Sequence, residues 1–372
     1  MKKLLVLTVL LIAAAVSAAW LVDTRVHTPY RGYQGAEQFV DLPPGAGSKT
    51  IGDRLVASGI VSDEITFRAA LWLTGQARHL KAGEYRFDRA MTPIEVLDRI
   101  ARGDVYVMAL TFPEGLTIAE MAKLFEGHGL GPASAFVDAA TDVSSIREFD
   151  AAATDLEGYL FPDTYALSRH ADAAKLVRLM TARFAHVFTP ELRQAAAARS
   201  LSVRQAITLA SIVEKETARD DERPIVAAVY ENRLRIGMAL QCDPTVIYAL
   251  QRAGTYDGNL HRDDLTFNSP YNTYRYPGLP PGPIASPGRA AIEAVLHPVD
   301  AAFLYFVSRN DGSHAFARDL DEHNRNVRTY QVQDVRNRKA GKSDGSGRSA
   351  GSGRSAGSGA SGGAGKMGGS GR

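Results

Sequence analysis

Nineteen consecutive residues, Leu4 to Val22, carry no charge, and Lys2 and Lys3 stand immediately before them. A soluble domain has no exposed position for such a run, so it constrains the chain more than any other segment. As one helix, residues 4–22 are long enough to cross a bilayer. The short positive N-terminus, residues 1–3, is expected to stay cytoplasmic, which sends everything after Asp23 outward. Trp20, near the far end, suits a membrane–water interface. A cleaved signal peptide is the competing reading, because Val16-Ser17-Ala18 resembles a small-residue cleavage site. The apolar run is longer than the usual core of a signal peptide, which favours a retained anchor. Under either reading the body of the chain is exported.

The opposite end has a different character. From Ala340 to Arg372 the chain is mostly Gly, Ser, Ala and Arg, with Gly-Ser-Gly-Arg-Ser-Ala repeated in tandem at 345–350 and 351–356. Such a segment cannot bury apolar surface and is expected to be disordered. It carries five Lys or Arg and one Asp, a net +4, so the rest of the chain sums to −2 out of an overall +2. That balance does not point to a nucleic-acid partner. The 45% hydrophobic content of the 372 residues is enough for two or three cored domains. Cys242 is the only cysteine, which excludes an intrachain disulfide.

The middle of the chain is organised around Ala206 to Ala218. No Gly or Pro interrupts it, and Val203, Ile207, Ala210 and Val213 recur at helical spacing. Ser202 is placed to cap its start. The apolar stripe runs into Glu214 and Glu216. At about 100° per residue these two point roughly 200° apart, each near one border of the stripe, with Lys215 turned away. A carboxylate at the edge of an apolar face is partly desolvated, which raises its pKa and suits it to general acid work. Helical geometry alone does not rank the two.

In chain order, residues 23–36 read as a polar linker. Residues 37–130 read as a small α+β module containing strand, Pro-Gly turn and Thr-Ile helix twice, at 39–60 and 110–125. Gly83–Phe87 is a strand between the copies, and Thr92–Ile100 a helix. A Thr-Ile turn leading into a short helix resembles peptidoglycan-binding LysM-type modules. Residues 131–336 then form a mixed α/β domain. Its loop Leu156–Tyr165 sets three aromatics beside carboxylates, a pattern that suits the C–H faces of sugar rings or a buried aromatic corner. Asp243-Pro244 reads as an N-cap and first helical residue. Residues 266–290 are dense in turn formers, and an irregular stretch of this length inside a domain is usually functional.

Other chemistries lack their signatures. There is no H-E-x-x-H, and His314 and His323 are not at metal-ligand spacing, so no metal is expected. No Walker or Rossmann loop calls for a cofactor. There is no G-x-S-x-G or S-x-x-K, and Cys242 has no base nearby in sequence.

Five motifs occur in order: Ser211-Ile212-Val213-Glu214-Lys215-Glu216-Thr217, Asn232-Arg233-Leu234, Gln241-Cys242-Asp243-Pro244-Thr245-Val246-Ile247-Tyr248, Tyr271-Asn272-Thr273-Tyr274 and Gly278-Leu279-Pro280-Pro281-Gly282. With them the chain resembles the endolytic murein transglycosylase (YceG-like) family over roughly 4–330. Cys242 departs from the Thr usual in that pattern, which should matter little if it is buried. The resemblance implies a membrane-anchored α+β protein, with a LysM-like module followed by a catalytic domain on the periplasmic side of the inner membrane. It implies a lytic transglycosylase that cuts nascent peptidoglycan strands internally and leaves a 1,6-anhydro-muramic acid end, the expected partners being the glycan itself and a peptidoglycan synthase complex. The family's catalytic carboxylate corresponds to Glu216. Glu214, Gln241, Asp243, Tyr271, Asn272 and Tyr274 are the expected substrate-binding residues. A non-catalytic peptidoglycan-binding scaffold and a hydrolysing muramidase, with Glu214 or Asp243 as second carboxylate, are the alternatives.

Overall fold

The computed structural model describes residues 2–169 and 171–333. The tail expected to be disordered lies outside them. The chain divides into two compact units, residues 1–110 with 165–170, and residues 111–164 with 171 onward. The architecture is mixed α+β.

The first unit begins with α1 (Lys2–His27), whose apolar residues are exposed through Leu21, while Val22 is half-buried and Val26 fully buried. The linker expected over 23–36 is therefore helical as far as His27. The reason is that Val26 joins a core with Val40, Leu55, Phe67, Phe87 and Leu97. Next come β1 (Gln38–Leu42), α2 (Ser48–Ala57), α3 (Glu64–Thr74) and β2 (Gly83–Phe87). The two strands pair antiparallel from Gln38↔Phe87 to Leu42↔Gly83. Asp63 caps α3 by accepting from the Thr66 amide at 2.8 Å, and Gly75 ends it in the left-handed conformation. In α4 (Pro93–Arg102) a reciprocal Thr92–Glu95 capping box precedes a proline in the first turn. The unit's limits fall within β3 (Met108–Thr111) and, later in the chain, the strand that pairs with it.

The second unit is mainly helical. It opens with α5 (Ile118–Gly127), capped by Thr117, and α6 (Ala133–Ala139). The second strand–turn–helix copy thus falls in this unit, and the boundary lies near residue 110 rather than 130. Packing explains the difference: Phe125 and Phe136 meet at 5.6 Å, and Phe112 and Phe136 at 6.2 Å. There follow β4 (Thr164–Leu167), the partner of β3, then α7 (Ala173–Val187), α8 (Pro190–Ala198), α9 (Val203–Glu216), α10 (Arg223–Arg235) and α11 (Asp243–Ala253). The chain closes with α12 (Arg289–Leu296), β5 (Tyr305–Ser308), β6 (His314–Ala317) and α13 (Leu320–Val327). Strands β5 and β6 form an antiparallel hairpin with Ser308 opposite His314.

Helix α9 is the axis of this unit. It starts at a Ser202–Gln205 capping box, and every residue from Ala206 to Val213 is buried. It is enclosed on all sides by α8, α10, α11 and α12, not apolar on one stripe as its periodicity suggests. Ala206, Thr208, Ala210 and Ser211 are small enough to admit neighbours all round. The Ser211 hydroxyl accepts from the Ile284 amide at 3.0 Å, which straps the Pro-Gly segment against the helix.

Candidate active site

The C-terminal turn of α9 separates its two glutamates completely. Glu214 turns toward two helix starts. One oxygen accepts from the Gly288 amide at the cap of α12 at 3.0 Å, and the other from Arg223 at 3.3 Å. Its side chain is nearly inaccessible. Beside it the Lys215 ammonium donates to the Gly115 carbonyl at 3.1 Å. Glu214, expected among the substrate-binding residues, does not line the cleft that contains Glu216.

Glu216 faces a cleft of about 480 Å³. The walls come from Glu216 on α9, Tyr230 and Arg233 on α10, Gln241 and Asp243 at the start of α11, and Tyr274. The hairpin and α13 complete it with Tyr305, His314 and His323. The Tyr230 hydroxyl donates to Glu216 Oε1 at 2.5 Å, and the Cys242 thiol hydrogen-bonds the same carboxyl. Part of Glu216 stays open to the cleft, but protein surrounds its carboxyl densely. Burial consequently pushes its pKa above the ordinary glutamate value, and the charge of Asp243 pushes the same way. Tyr230, Cys242 and His314 oppose the rise. Cys242 is buried, as its neutral substitution required, but it also touches the acid. Burial raises its thiol pKa, so it is held as the thiol.

Asp243 does not cap α11. That cap is the Cys242 backbone, and the Asp243 carboxyl instead accepts from the Tyr274 hydroxyl at 2.6 Å. Burial raises its pKa, moderated by this bond. Gln241 adopts φ = +49°, a left-handed conformation that costs a non-glycine residue on the order of 1 kcal/mol. Thr273 secures the strained turn. Its carbonyl accepts from the Gln241 amide at 3.2 Å and its hydroxyl from the Cys242 amide at 3.0 Å.

Two expected site residues lie elsewhere. Asn272 is fully buried inside its own loop, donating to the Leu265 and Phe267 carbonyls at 3.0 and 2.8 Å and accepting from the Tyr274 amide at 3.0 Å. It positions Tyr274 and has no surface to offer a ligand. Tyr271 packs against Tyr248, ring centres 5.0 Å apart, and beneath Arg252. Of the irregular stretch 266–290, only Tyr274 lines this cleft, because residues 284–288 are buried against α9. The aromatic loop is a buried corner as well. Tyr159 donates to Asp150 at 2.8 Å and meets Phe184 edge-on.

The YceG-like family profile matches residues 40–329. The chain belongs to the YceG-like family. This YceG-like chain is 30% identical over 310 residues to a Bacillus subtilis protein named endolytic murein transglycosylase, covering 78% of this chain and 84% of that one. A Streptococcus pneumoniae protein of the same name is 30% identical over 319 residues, covering 77% of this chain and 57% of that one. The crystal structure of a yceG-like protein from Listeria monocytogenes superposes with a TM-score of 0.54 at 28% identity, covering 78% and 98% of the two chains.

Sequence reading of the YceG-like chain missed the Glu222–His314 pair. Glu222 is buried and accepts from both the His314 amide, at 2.9 Å, and its Nδ1, at 2.6 Å. This fixes the ring that lines the cleft. The partners are 92 positions apart, so no local pattern announces them.

Proposed function

We propose that this chain is a lytic transglycosylase that cleaves peptidoglycan glycan strands internally, with Glu216 as its single acid and base. The observation that carries the reading is Glu216 itself: a desolvated carboxylic acid with a raised pKa, hydrogen-bonded by Tyr230 and open to a cleft. A raised pKa lets this carboxyl hold its proton to higher pH than an ordinary glutamate does. In the proposed step Glu216 donates that proton to the oxygen linking N-acetylmuramic acid to N-acetylglucosamine, and the anomeric C–O bond breaks. The muramic acid 6-hydroxyl then bonds to the anomeric carbon and returns its proton to the Glu216 carboxylate. The product carries a 1,6-anhydro end, and no water is consumed. The names of the Bacillus and Streptococcus relatives support the substrate class.

Gln241, Asp243 and Tyr274 are the proposed substrate contacts. Asp243 shares the cleft with Glu216, which favours one second reading, a two-carboxylate hydrolase making reducing ends. We further read α1 as a single membrane anchor with the body on the periplasmic side, where cutting nascent strands would end their elongation beside a synthase. The order β1–α2–α3–β2, with its strands paired antiparallel, supports a LysM-like module in the first unit.

Mass spectrometry of glycan products tests the proposal, with the full chain in detergent, wild type beside Glu216→Gln. The expected result is anhydro-muramic ends from wild type and about a 10²–10⁴-fold loss in the variant. Reducing ends would identify a hydrolase. Anhydro ends made equally by the variant would move the acid elsewhere, and bound but uncut glycan from both would identify a scaffold.

A further inference from the structure

Helix α3 exposes what a soluble helix normally hides. Trp72 is 83% exposed and Ile65 70%. They are seven positions apart, about 20° in angle, so they lie one above the other on a single stripe. Leu73 borders that stripe, also exposed, while Phe67 and Ala70 on the opposite face are buried in the core. The stripe is thus unpartnered within the first unit.

Its position identifies what covers it. Arg25, in the last turn of α1, pairs with the Asp63 cap of α3 at 3.7 Å, and Val26 shares a core with Phe67. Val22, the last residue of the uncharged run, lies only three residues from Arg25, about 4.5 Å along the helix axis. With α1 in a bilayer, the start of α3 is held at headgroup level. Charge agrees with this placement. Just beyond α3, a surface hollow of about 620 Å³ is lined by Arg78, His79, Lys81 and Arg102 against one acid, Asp98. Cations beside an exposed apolar stripe match an anionic lipid surface.

We propose that α3 is a second, interfacial membrane contact, its Ile65–Trp72 stripe seated among the lipid headgroups and its basic C-terminal hollow facing anionic lipid. The proposal rests on the reading of α1 as a membrane anchor. It assigns the first unit a fixed attitude at the membrane, since a transmembrane helix and an interfacial helix joined through one core cannot swivel independently.

The chain has only two tryptophans, Trp20 and Trp72, which permits a direct test. The full chain is reconstituted in vesicles of phosphatidylethanolamine and phosphatidylglycerol, as Trp20→Phe, which leaves Trp72 as the sole indole, and as Trp72→Phe, which leaves Trp20. Emission is read with brominated acyl chains in the bilayer and with iodide in the water. The expected result for Trp72 is emission shifted to shorter wavelength, loss of intensity in brominated vesicles and protection from iodide. Trp72 quenched by iodide alone, while Trp20 is quenched by brominated lipid, overturns the α3 contact and leaves the anchor intact. Failure of brominated lipid to quench either indole overturns the anchor and the α3 contact together. Trp72 shielded from both quenchers also refutes the proposal, because a protein surface then covers the stripe.

Discussion

Glu157 is a buried acid whose effect on stability can be worked out with its sign. It is 7% exposed, at the corner before Tyr159. Its oxygens accept from the Ile118 amide, at the start of α5, at 3.1 and 3.4 Å, and from the Tyr248 hydroxyl at 3.1 Å. These donors and the helix N-terminus favour the charged form. Burial outweighs them and pushes the pKa up to about 8, from an ordinary 4.5. The folded chain therefore holds this proton more tightly than the unfolded chain. Below pH 4 both states are protonated and nothing is lost. As pH rises past 4.5 the unfolded state releases its proton while the folded state keeps it, so stability falls until the folded pKa is passed. At 1.36 kcal/mol per pH unit the loss relative to pH 4 is about 3 kcal/mol at pH 7 and about 5 kcal/mol at pH 9. Glu157→Gln keeps the shape and cannot ionise, so it should remove this pH-dependent part. The assay is urea unfolding of the full chain in detergent from pH 4 to 9, followed by circular dichroism. The stability difference between variant and wild type should grow by those amounts in favour of the variant. A difference that stays flat with pH would refute the reasoning.

Two further substitutions probe the site and its frame. Tyr230→Phe removes the donor that holds the Glu216 pKa down, so the acid should stay protonated to higher pH. The alkaline limb of the kcat/KM profile should then move upward, and a downward move would contradict the assigned hydrogen bond. Gly158 has φ = +84°, and a Cβ there would lie 2.4 Å from Pro283 Cβ and 3.0 Å from Ile207 Cγ2. Gly158→Ala should cost about 3 kcal/mol or more, since left-handed strain adds to a clash with a rigid ring; a shift in urea midpoint worth less than about 1 kcal/mol would show that the corner can give way.

What the sequence reveals of this molecule follows how far apart the interacting residues lie. Ser202 caps α9 three positions from Gln205, and Thr92 caps α4 three positions from Glu95, so both helix starts were legible. The strand at Gly83–Phe87 is legible although its partner β1 lies 41 to 49 positions away. Helix α3 escaped notice because its exposed Ile65 and Trp72 break the expected pattern of a polar outer face. The burial of α9 on every side was hidden too, since periodicity in one helix says nothing about how many neighbours surround it. The loop motifs were recognised, but their direction was not. Asn272 and Tyr271 share a tetrapeptide with Tyr274, and only a backbone that clamps on Asn272 sends Tyr274 alone to the cleft.

Two glutamates two positions apart end in different surroundings. Helical rotation sends Glu214 to the starts of α10 and α12, where it accepts from Arg223 and the Gly288 amide. It sends Glu216 to a place where, among the described residues, no cation forms an ion pair with it, and neutral donors from Tyr230 and Cys242 face it instead. Burial raises the Glu216 pKa above the ordinary glutamate value, so this carboxyl keeps its proton to higher pH. In the proposed mechanism this is the group that gives a proton to the leaving oxygen and takes one back. The difference between the two surroundings, which helical geometry left open, is thus made by residues at least nine positions away along the chain. It predicts that exchanging the environments, for example by placing an arginine at Tyr230, would abolish the acid even with Glu216 intact.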